Sequence, residues 1–161
     1  MAKLYLICGA PGSGKSTFLK NHINKKSEVI ISRDEVRFSL LNPDEDYFSH
    51  EDETLNIFWS RINEALKQGF TVFADQTSLT PKARKYLMDH VSGYDEVNAI
   101  WMDETLETCL ERNEKRTSPR TKVPRGIVRR MYYSFVKPSY YEGFTHIYKY
   151  NSKSNTLIEE K

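Results

Sequence analysis

A glycine-rich stretch near the amino terminus holds the residues whose types and spacing most clearly indicate chemistry. It reads Gly9, Ala10, Pro11, Gly12, Ser13, Gly14, Lys15 and Ser16, followed by Thr17. This is the Walker A pattern, G-x-x-x-x-G-K-[ST], between an apolar run and a helix-like segment. Glycines let backbone N–H groups turn towards a phosphate chain, lysine offers a charge to the β and γ phosphates, and the serine hydroxyl suits Mg²⁺. We therefore expect residues 9–17 to bind ATP, with Lys15 also catalytic and Ser16 as the metal ligand.

A second candidate group follows the next apolar run. Ser32 and Glu35 have the spacing of a capping box, which predicts a helix start. Asp34 then lies in the first turn, with Arg37 three residues later on the same face. An aspartate there can accept the proton of an attacking hydroxyl, and an arginine can bind an acceptor phosphate through two bonds. The alternative is that Asp34 only complements the helix dipole and Arg37 is a surface residue.

Asp75 ends another apolar run, residues 70–74, and we expect it at the same sheet edge. An acidic residue there can order Mg²⁺-bound water or hold Arg37 in its rotamer. An ordinary loop aspartate before a helix is the plainer interpretation.

Arginines cluster at a later helix end and in the loop beyond it. Arg112 and Arg116 are four residues apart, and Arg120 and Arg125 follow in and around a proline-punctuated segment. We expect a lid at about residues 116–126. Arginines in such a lid stabilise charge on a transferring phosphoryl group, and closure excludes water. Arg116 is the best catalytic candidate, and Arg112 and Arg116 are both expected to contact ATP; a solvated basic helix end is the alternative.

Apolar runs and amphipathic segments alternate along the chain. The predicted strands are 4–8, 29–32, 70–74, 97–102 and 146–150, and the predicted helices are 15–25, 34–41, 50–67, 81–90, 106–115 and 125–137. This order predicts an α/β fold, a parallel sheet of about five strands with helices on both faces. We expect one domain over residues 1–150 and a polar C-terminal tail over 151–161, which either frays or adds a turn and a short strand.

Composition narrows the setting. The 161 residues carry a formal net charge of +2, so no global basic field marks a tight nonspecific nucleic-acid binder. The two cysteines are far apart in sequence and predict small buried groups in a reducing compartment. No apolar run approaches a membrane span and no signal peptide is visible, so we expect a cytoplasmic protein without a membrane partner.

Two aromatic residues, Tyr47 and Phe48, fall close to the predicted Asp34 edge. They could stack on a base or pack in a core, and the sequence leaves this open. Acidic neighbours, Asp44, Glu45, Asp46, Glu51 and Asp52, would repel a phosphate backbone.

Four segments together resemble the kinase domain of the phage-type polynucleotide 5′-hydroxyl kinases, a P-loop kinase family. They are residues 9–17, residues 32–37, residues 75–77 with 79–81, and a lid region covering 112–116, 122–124 and 130–132. They occur in the family's order, and the resemblance covers about residues 3–138. The phosphate loop is common to many kinases, whereas the Arg-Asp-x-x-Arg and lid elements are much more specific.

The resemblance implies roles for individual residues. Lys15 and Ser16 would hold the triphosphate and Mg²⁺, and Asp34 would be the general base on a 5′-hydroxyl. Arg37 would bind the acceptor's 3′-phosphate and Asp75 would support it. Arg116, with Arg112, would reach the donor phosphates from the lid.

The expected function is therefore ATP-dependent 5′-phosphorylation of DNA or RNA ends, as in end repair. No Asp-x-Asp-x-Thr motif is present, so we expect no 3′-phosphatase activity, and we do not transfer the tetramer of the phage enzyme or infer any protein partner. Two alternatives remain: a kinase of a small-molecule hydroxyl, such as a nucleoside, sugar or antibiotic, and an NTPase switch without a dedicated acceptor.

Overall fold

A computed structural model describes residues 1–23, 25–119 and 121–161. The strands within these ranges are β1 Lys3–Cys8, β2 Glu28–Ser32, β3 Thr71–Asp75, β4 Glu96–Met102, β5 His146–Asn151 and β6 Thr156–Glu160. The helices are α1 Lys15–His22, α2 Arg33–Leu40, α3 Glu51–Lys67, α4 Pro81–His90, α5 Leu106–Glu114 and α6 Arg125–Ser134. A short 3-10 turn covers Tyr140–Glu142.

The strands form one sheet in the order β2-β3-β1-β4-β5-β6. Neighbours from β2 to β5 pair in parallel, and β6 pairs antiparallel to β5. The predicted α/β fold with a mostly parallel sheet is confirmed. Five strands were expected and a sixth forms within the polar C-terminal segment, so this segment adds a turn and a short strand.

The central strand β1 shows why the sheet has helices on both faces. Leu4 and Leu6 point into a core shared with Phe58 of α3 and Leu87 of α4. Ile7 points into a second core with Phe18 of α1 and Tyr150 of β5. Because successive strand residues face opposite sides, β1 needs an apolar residue at nearly every position. No helix in the described part of the chain is both long and apolar enough to cross a membrane.

The helices begin where the sequence predicts. The Ser32 side chain accepts a hydrogen bond from the backbone N–H of Glu35, and Thr80 caps α4 in the same way ahead of Pro81. The largest differences from the predicted ends, three residues each, are at the carboxyl ends of α1 and α6, at His22 and Ser134. Pro138 disfavours helical backbone at Lys137, the predicted end of α6, but it does not by itself explain the end at Ser134.

Arg84 is a buried charge that the sequence did not reveal. Its side chain is 0% exposed and donates from Nε to Glu142 Oε1 at 2.7 Å. It also donates to the carbonyl oxygens of Ser78 and Val136, at 2.9 Å each. Arg84 thus joins the segments before α4, after α6 and before β5, where they leave the sheet.

We predict that Arg84→Ala lowers the free energy of unfolding by about 3–5 kcal/mol, since it leaves Glu142 and two carbonyl groups without their donor. The exposed neighbour Lys85, which pairs with Asp89 on the same helix, is the matched control. Lys85→Ala should change stability by no more than about 0.5 kcal/mol. Chemical denaturation of both variants measures the difference, and equal stabilities would contradict the assigned role.

Candidate active site

The glycine-rich loop connects β1 to α1 at the carboxyl edge of the sheet. Gly14 caps α1 in the left-handed region, at φ 110°, and no side chain caps the helix. The first amides of α1 are therefore available to an anion, with the positive end of the helix dipole behind them. The backbone N–H of Gly9 donates to the Thr77 carbonyl at 2.9 Å, which ties the start of the loop to the segment after β3.

Close packing explains two of the loop's glycines. A Cβ on Gly12 would lie 2.4 Å from the carbonyl oxygen of Cys109 in α5. A Cβ on Gly14 would lie 2.7 Å from Cβ of Ser152, in the turn between β5 and β6. Both residues also have positive φ, which glycine adopts without strain. The loop is thus held between α5 and the β5–β6 turn as well as shaped for a ligand.

Lys15 lies within this loop. Its Nζ donates to the carbonyl oxygens of Gly9 at 2.6 Å and Ala10 at 3.1 Å. Burial lowers the pKa of Lys15 to about 8, and the charge of Asp75 opposes that shift. A buried ammonium held only by carbonyl groups is a strong binding partner for the oxygens of a phosphate chain.

The residues available for Mg²⁺ are hard oxygen donors. Ser16 is exposed at the start of α1. Asp75 ends β3, and burial raises the pKa of its carboxyl group while Lys15 lowers it. A hydroxyl and a carboxylate beside a phosphate loop fit the preference of Mg²⁺ for oxygen ligands and retained waters. No cluster of three or more His, Cys, Asp or Glu side chains suited to a metal occurs among residues 1–23, 25–119 and 121–161.

Strand register brings the predicted residues to one edge. Asp75 is paired with Ser32 of β2 on one side and with Ile7 of β1 on the other. Asp34 follows Ser32 by two residues, and its charge acts on Lys15, Asp75 and Arg116. The structure therefore gathers Asp34, Asp75 and the phosphate loop at the carboxyl ends of three adjacent strands, where parallel sheets bind ligands.

Arg37 lies at this edge, but its side chain is only 4% exposed. Its guanidinium donates to both carboxylate oxygens of Glu51, at 2.8 to 3.1 Å, and also to Asp34 and to the Tyr47 hydroxyl. Burial lowers the pKa of Arg37. The hydrogen bonds to Glu51 and the charges of Tyr47, Glu51 and Asp34 raise it by more, so the net pKa is raised and the guanidinium stays charged. The same Glu51 carboxylate accepts from Arg33.

Glu51 is the functional candidate that sequence reasoning missed. The sequence identifies it only as one of several acidic residues near Tyr47 and Phe48, and the structure adds that it joins α3 to Arg33 and Arg37 of α2. Burial raises its pKa, but hydrogen bonds from both arginines more than offset this, and the net pKa is lowered. Support of Arg37 was expected from Asp75; the side-chain contacts that the structure gives Arg37 are instead to Glu51, Asp34 and Tyr47.

The expected lid, at about residues 116–126, corresponds to most of the connection between α5 and α6, and its last two residues form the start of α6. Arg116 donates to the Thr121 carbonyl at 2.7 Å within it, and burial lowers the pKa of Arg116 while Asp34 opposes the shift. Its charge also contributes to the lowered pKa of Lys15. Arg120 lies outside the described residues.

Arg112 and Asn113 fix the lid's base. Arg112 donates to Ser152 Oγ at 2.7 Å and to the Gly12 carbonyl at 3.4 Å, which places it against the back of the loop. Asn113 is fully buried and exchanges two hydrogen bonds with the backbone of Val123, at 2.6 and 2.9 Å. The only sequence signal for this role of Asn113 is that a polar residue occupies a position on the apolar face of α5.

We predict that Glu51→Ala lowers the free energy of unfolding by about 2 kcal/mol, because it leaves the buried Arg37 charge without its main partner. The folded-state pKa of Glu51 is depressed. Its contribution to the free energy of unfolding is therefore fully present above the ordinary glutamate pKa and is lost as the pH falls through the depressed value. The stability gap between wild type and variant should thus narrow in acid. Asp52→Ala, an exposed acid in the same helical turn, is the control; a gap as small as the control's at neutral pH would contradict the prediction.

Comparison with known proteins agrees with this geometry. Residues 4–138 match the family model described as an AAA domain, AAA_33. A structure of the Pnkp1/Rnl/Hen1 RNA repair complex is similar, with a TM-score of 0.71, 23% identity, and coverage of 83% of this chain and 43% of that chain. A putative kinase from Chloroflexus aurantiacus j-10-fl has a TM-score of 0.70 and 14% identity, with 94% and 88% covered. A gluconokinase from Sinorhizobium meliloti 1021 has a TM-score of 0.62 and 17% identity, with 93% and 82% covered.

At these identities the structures establish a shared fold, and the protein spans less than half of the repair-complex chain. The family match extends over most of the sequence, from β1 through the lid and α6. The chain therefore belongs to the AAA_33 family of P-loop kinases, whose fold implies nucleotide binding.

Proposed function

We propose that the protein transfers the γ-phosphoryl group of ATP to the 5′-hydroxyl of a DNA or RNA end. The position of Asp34 carries this proposal. Its side chain is 59% exposed at the edge that also holds the phosphate loop. Its charge acts on both Lys15 and Arg116, the two cations expected at the donor phosphates. An exposed carboxylate there is suited to receive a proton from an incoming hydroxyl.

In the proposed reaction the acceptor oxygen forms a bond to the γ-phosphorus as the bond from that phosphorus to the β–γ bridging oxygen breaks. The hydroxyl proton passes to Asp34, and the leaving ADP takes the bond's electrons. Lys15 and Arg116 stabilise the charge on the phosphoryl oxygens, and lid closure over the loop excludes water. Mg²⁺, when held by Ser16 with Asp75 nearby, would neutralise charge on the β and γ oxygens.

The distribution of charge favours a nucleic-acid acceptor. Helix α6, which follows the lid, has three arginines, Arg125, Arg129 and Arg130, and no acidic residue. All three are exposed. Such a local basic surface can bind backbone phosphates although the net charge of the chain is only +2. Similarity to a chain of an RNA repair complex points the same way.

A small-molecule hydroxyl is the second candidate acceptor. Two observations favour it: the protein covers 82% of the gluconokinase chain against 43% of the repair-complex chain, and Arg37 is paired with Glu51 rather than open to an acceptor phosphate. In this case Asp34 would still accept the hydroxyl proton, but the hydroxyl would belong to a small molecule.

The decisive experiment incubates labelled ATP with 5′-hydroxyl oligonucleotides of DNA and RNA, 3′-mononucleotides, plain nucleosides, gluconate and other sugars. The proposal predicts transfer to oligonucleotides and 3′-mononucleotides well above transfer to nucleosides or sugars. Preferred transfer to gluconate or a sugar would contradict it. Hydrolysis that no acceptor increases would instead indicate an NTPase switch.

We predict that Asp34→Asn lowers kcat for the best acceptor by about 10²–10⁴-fold, since the amide cannot take the proton. ATP affinity, measured by calorimetry, should stay within about twofold of wild type. Glu35→Gln, an exposed carboxylate one residue further along α2, is the matched control and should retain turnover. A kcat near wild type for Asp34→Asn would exclude Asp34 as the base.

A further inference from the structure

An exposed aromatic pair lies directly beside Asp34, in the loop between α2 and α3. The Tyr47 hydroxyl donates to Asp34 Oδ1 at 2.5 Å. The ring of Phe48 packs edge-on against the Tyr47 ring, with centroids 4.7 Å apart. Tyr47 is 40% exposed and Phe48 is 67% exposed. Two adjoining exposed rings at the edge of a polar site form an apolar surface that a ligand can contact.

The two rings differ in how firmly they are held. The Arg37 guanidinium lies over the Tyr47 ring at 4.0 Å, and Phe38 contacts that ring edge-on at 6.0 Å. Tyr47 is thus held by its hydroxyl and by ring contacts with Arg37, Phe38 and Phe48. Phe48 packs on this ring, with the Arg37 guanidinium 5.6 Å from the centroid of its own ring, and is 67% exposed. The structure therefore positions Phe48 through Tyr47 and Arg37 and leaves most of its surface available to a ligand.

We propose that Phe48, positioned by Tyr47, stacks on the nucleobase of the acceptor, so the acceptor is a base-bearing nucleotide rather than a simple sugar. The inference rests on the proposed function and sharpens its substrate class. In a nucleotide one sugar ring separates the 5′-oxygen from the base. Tyr47 likewise lies between Asp34 and Phe48, since its hydroxyl donates to Asp34 and its ring packs against Phe48. We therefore expect a 5′-hydroxyl at Asp34 to direct its base towards Phe48.

The negative charge near Tyr47 and Phe48 favours contact with the uncharged base of the ligand over contact with its phosphates. Asp44, Asp46, Asp52 and Glu53 are close to the pair in sequence and are all exposed. Arg33 and Arg37, on the preceding helix α2, are already paired with Glu51. This surface repels phosphates but admits an uncharged base, since stacking needs only a π face and tolerates any base. The acceptor's phosphates must therefore lie away from Phe48.

Binding measured without turnover tests the inference. Calorimetry with a non-hydrolysable ATP analogue present compares deoxyadenosine 3′-monophosphate with its abasic tetrahydrofuran counterpart, which keeps the 5′-hydroxyl and the 3′-phosphate. Wild type should bind the adenine compound about 5- to 100-fold more tightly than the abasic one. Phe48→Ala should lose that advantage while binding the abasic compound as wild type does, and Phe48→Trp should keep it.

Tyr141→Ala is the matched control, because Tyr141 is a fully exposed aromatic residue on the 3-10 turn, remote in sequence from the pair. It should leave both affinities unchanged. Equal wild-type affinity for the two compounds, or an equal loss for both in Phe48→Ala, would overturn the inference. A parallel assay with labelled ATP separates this inference from the proposed function. Adenine-dependent binding that Phe48→Ala abolishes, combined with no phosphoryl transfer from ATP to either compound, would support the base site and contradict the proposed function.

Discussion

The alignment of three strand ends is the constraint on which the rest of the structure depends. Because β2, β3 and β1 run parallel and in register, Ser32, Asp75 and Ile7 lie side by side. Everything that follows these residues in the sequence therefore starts from one line: helix α2 with Asp34, the segment after Asp75 and the phosphate loop. The backbone hydrogen bonds of the sheet therefore bring the proposed acceptor side to the proposed donor side without further side-chain contacts.

Onto this framework the protein adds a concentrated group of charges. Arg37 is almost fully buried, and a buried cation is stable only with close partners. Glu51 supplies the main one, and the shared contact with Arg33 ties the first turn of α3 to α2. Rigid placement of Asp34 follows, because its carboxylate accepts from both Arg37 and Tyr47. The side proposed for the acceptor is thus preorganised by ion pairs, whereas the side proposed for the nucleotide is preorganised by the backbone geometry of the glycine-rich loop.

The sequence predicted well what depends on local chemistry and periodicity. The strands, the helix starts at Ser32 and Thr80, and the loop around Lys15 all follow from patterns within a few residues. It failed where a side chain takes its role from a distant partner. Glu51, Arg84 and Asn113 look like ordinary polar residues until the fold places them against Arg37, Glu142 and Val123. The sequence places Tyr47 and Phe48 near the Asp34 edge of the sheet. Only the fold shows that Tyr47 is held by several contacts whereas Phe48 is mostly exposed.

The close approach of Gly14 to Ser152 joins the glycine-rich loop to the turn between β5 and β6. Arg112 reinforces this support, because it donates both to the Gly12 carbonyl and to Ser152 Oγ. A substitution or an insertion in the β5–β6 turn would therefore disturb the shape of the loop from its far side, although no residue of that turn is proposed to take part in phosphoryl transfer.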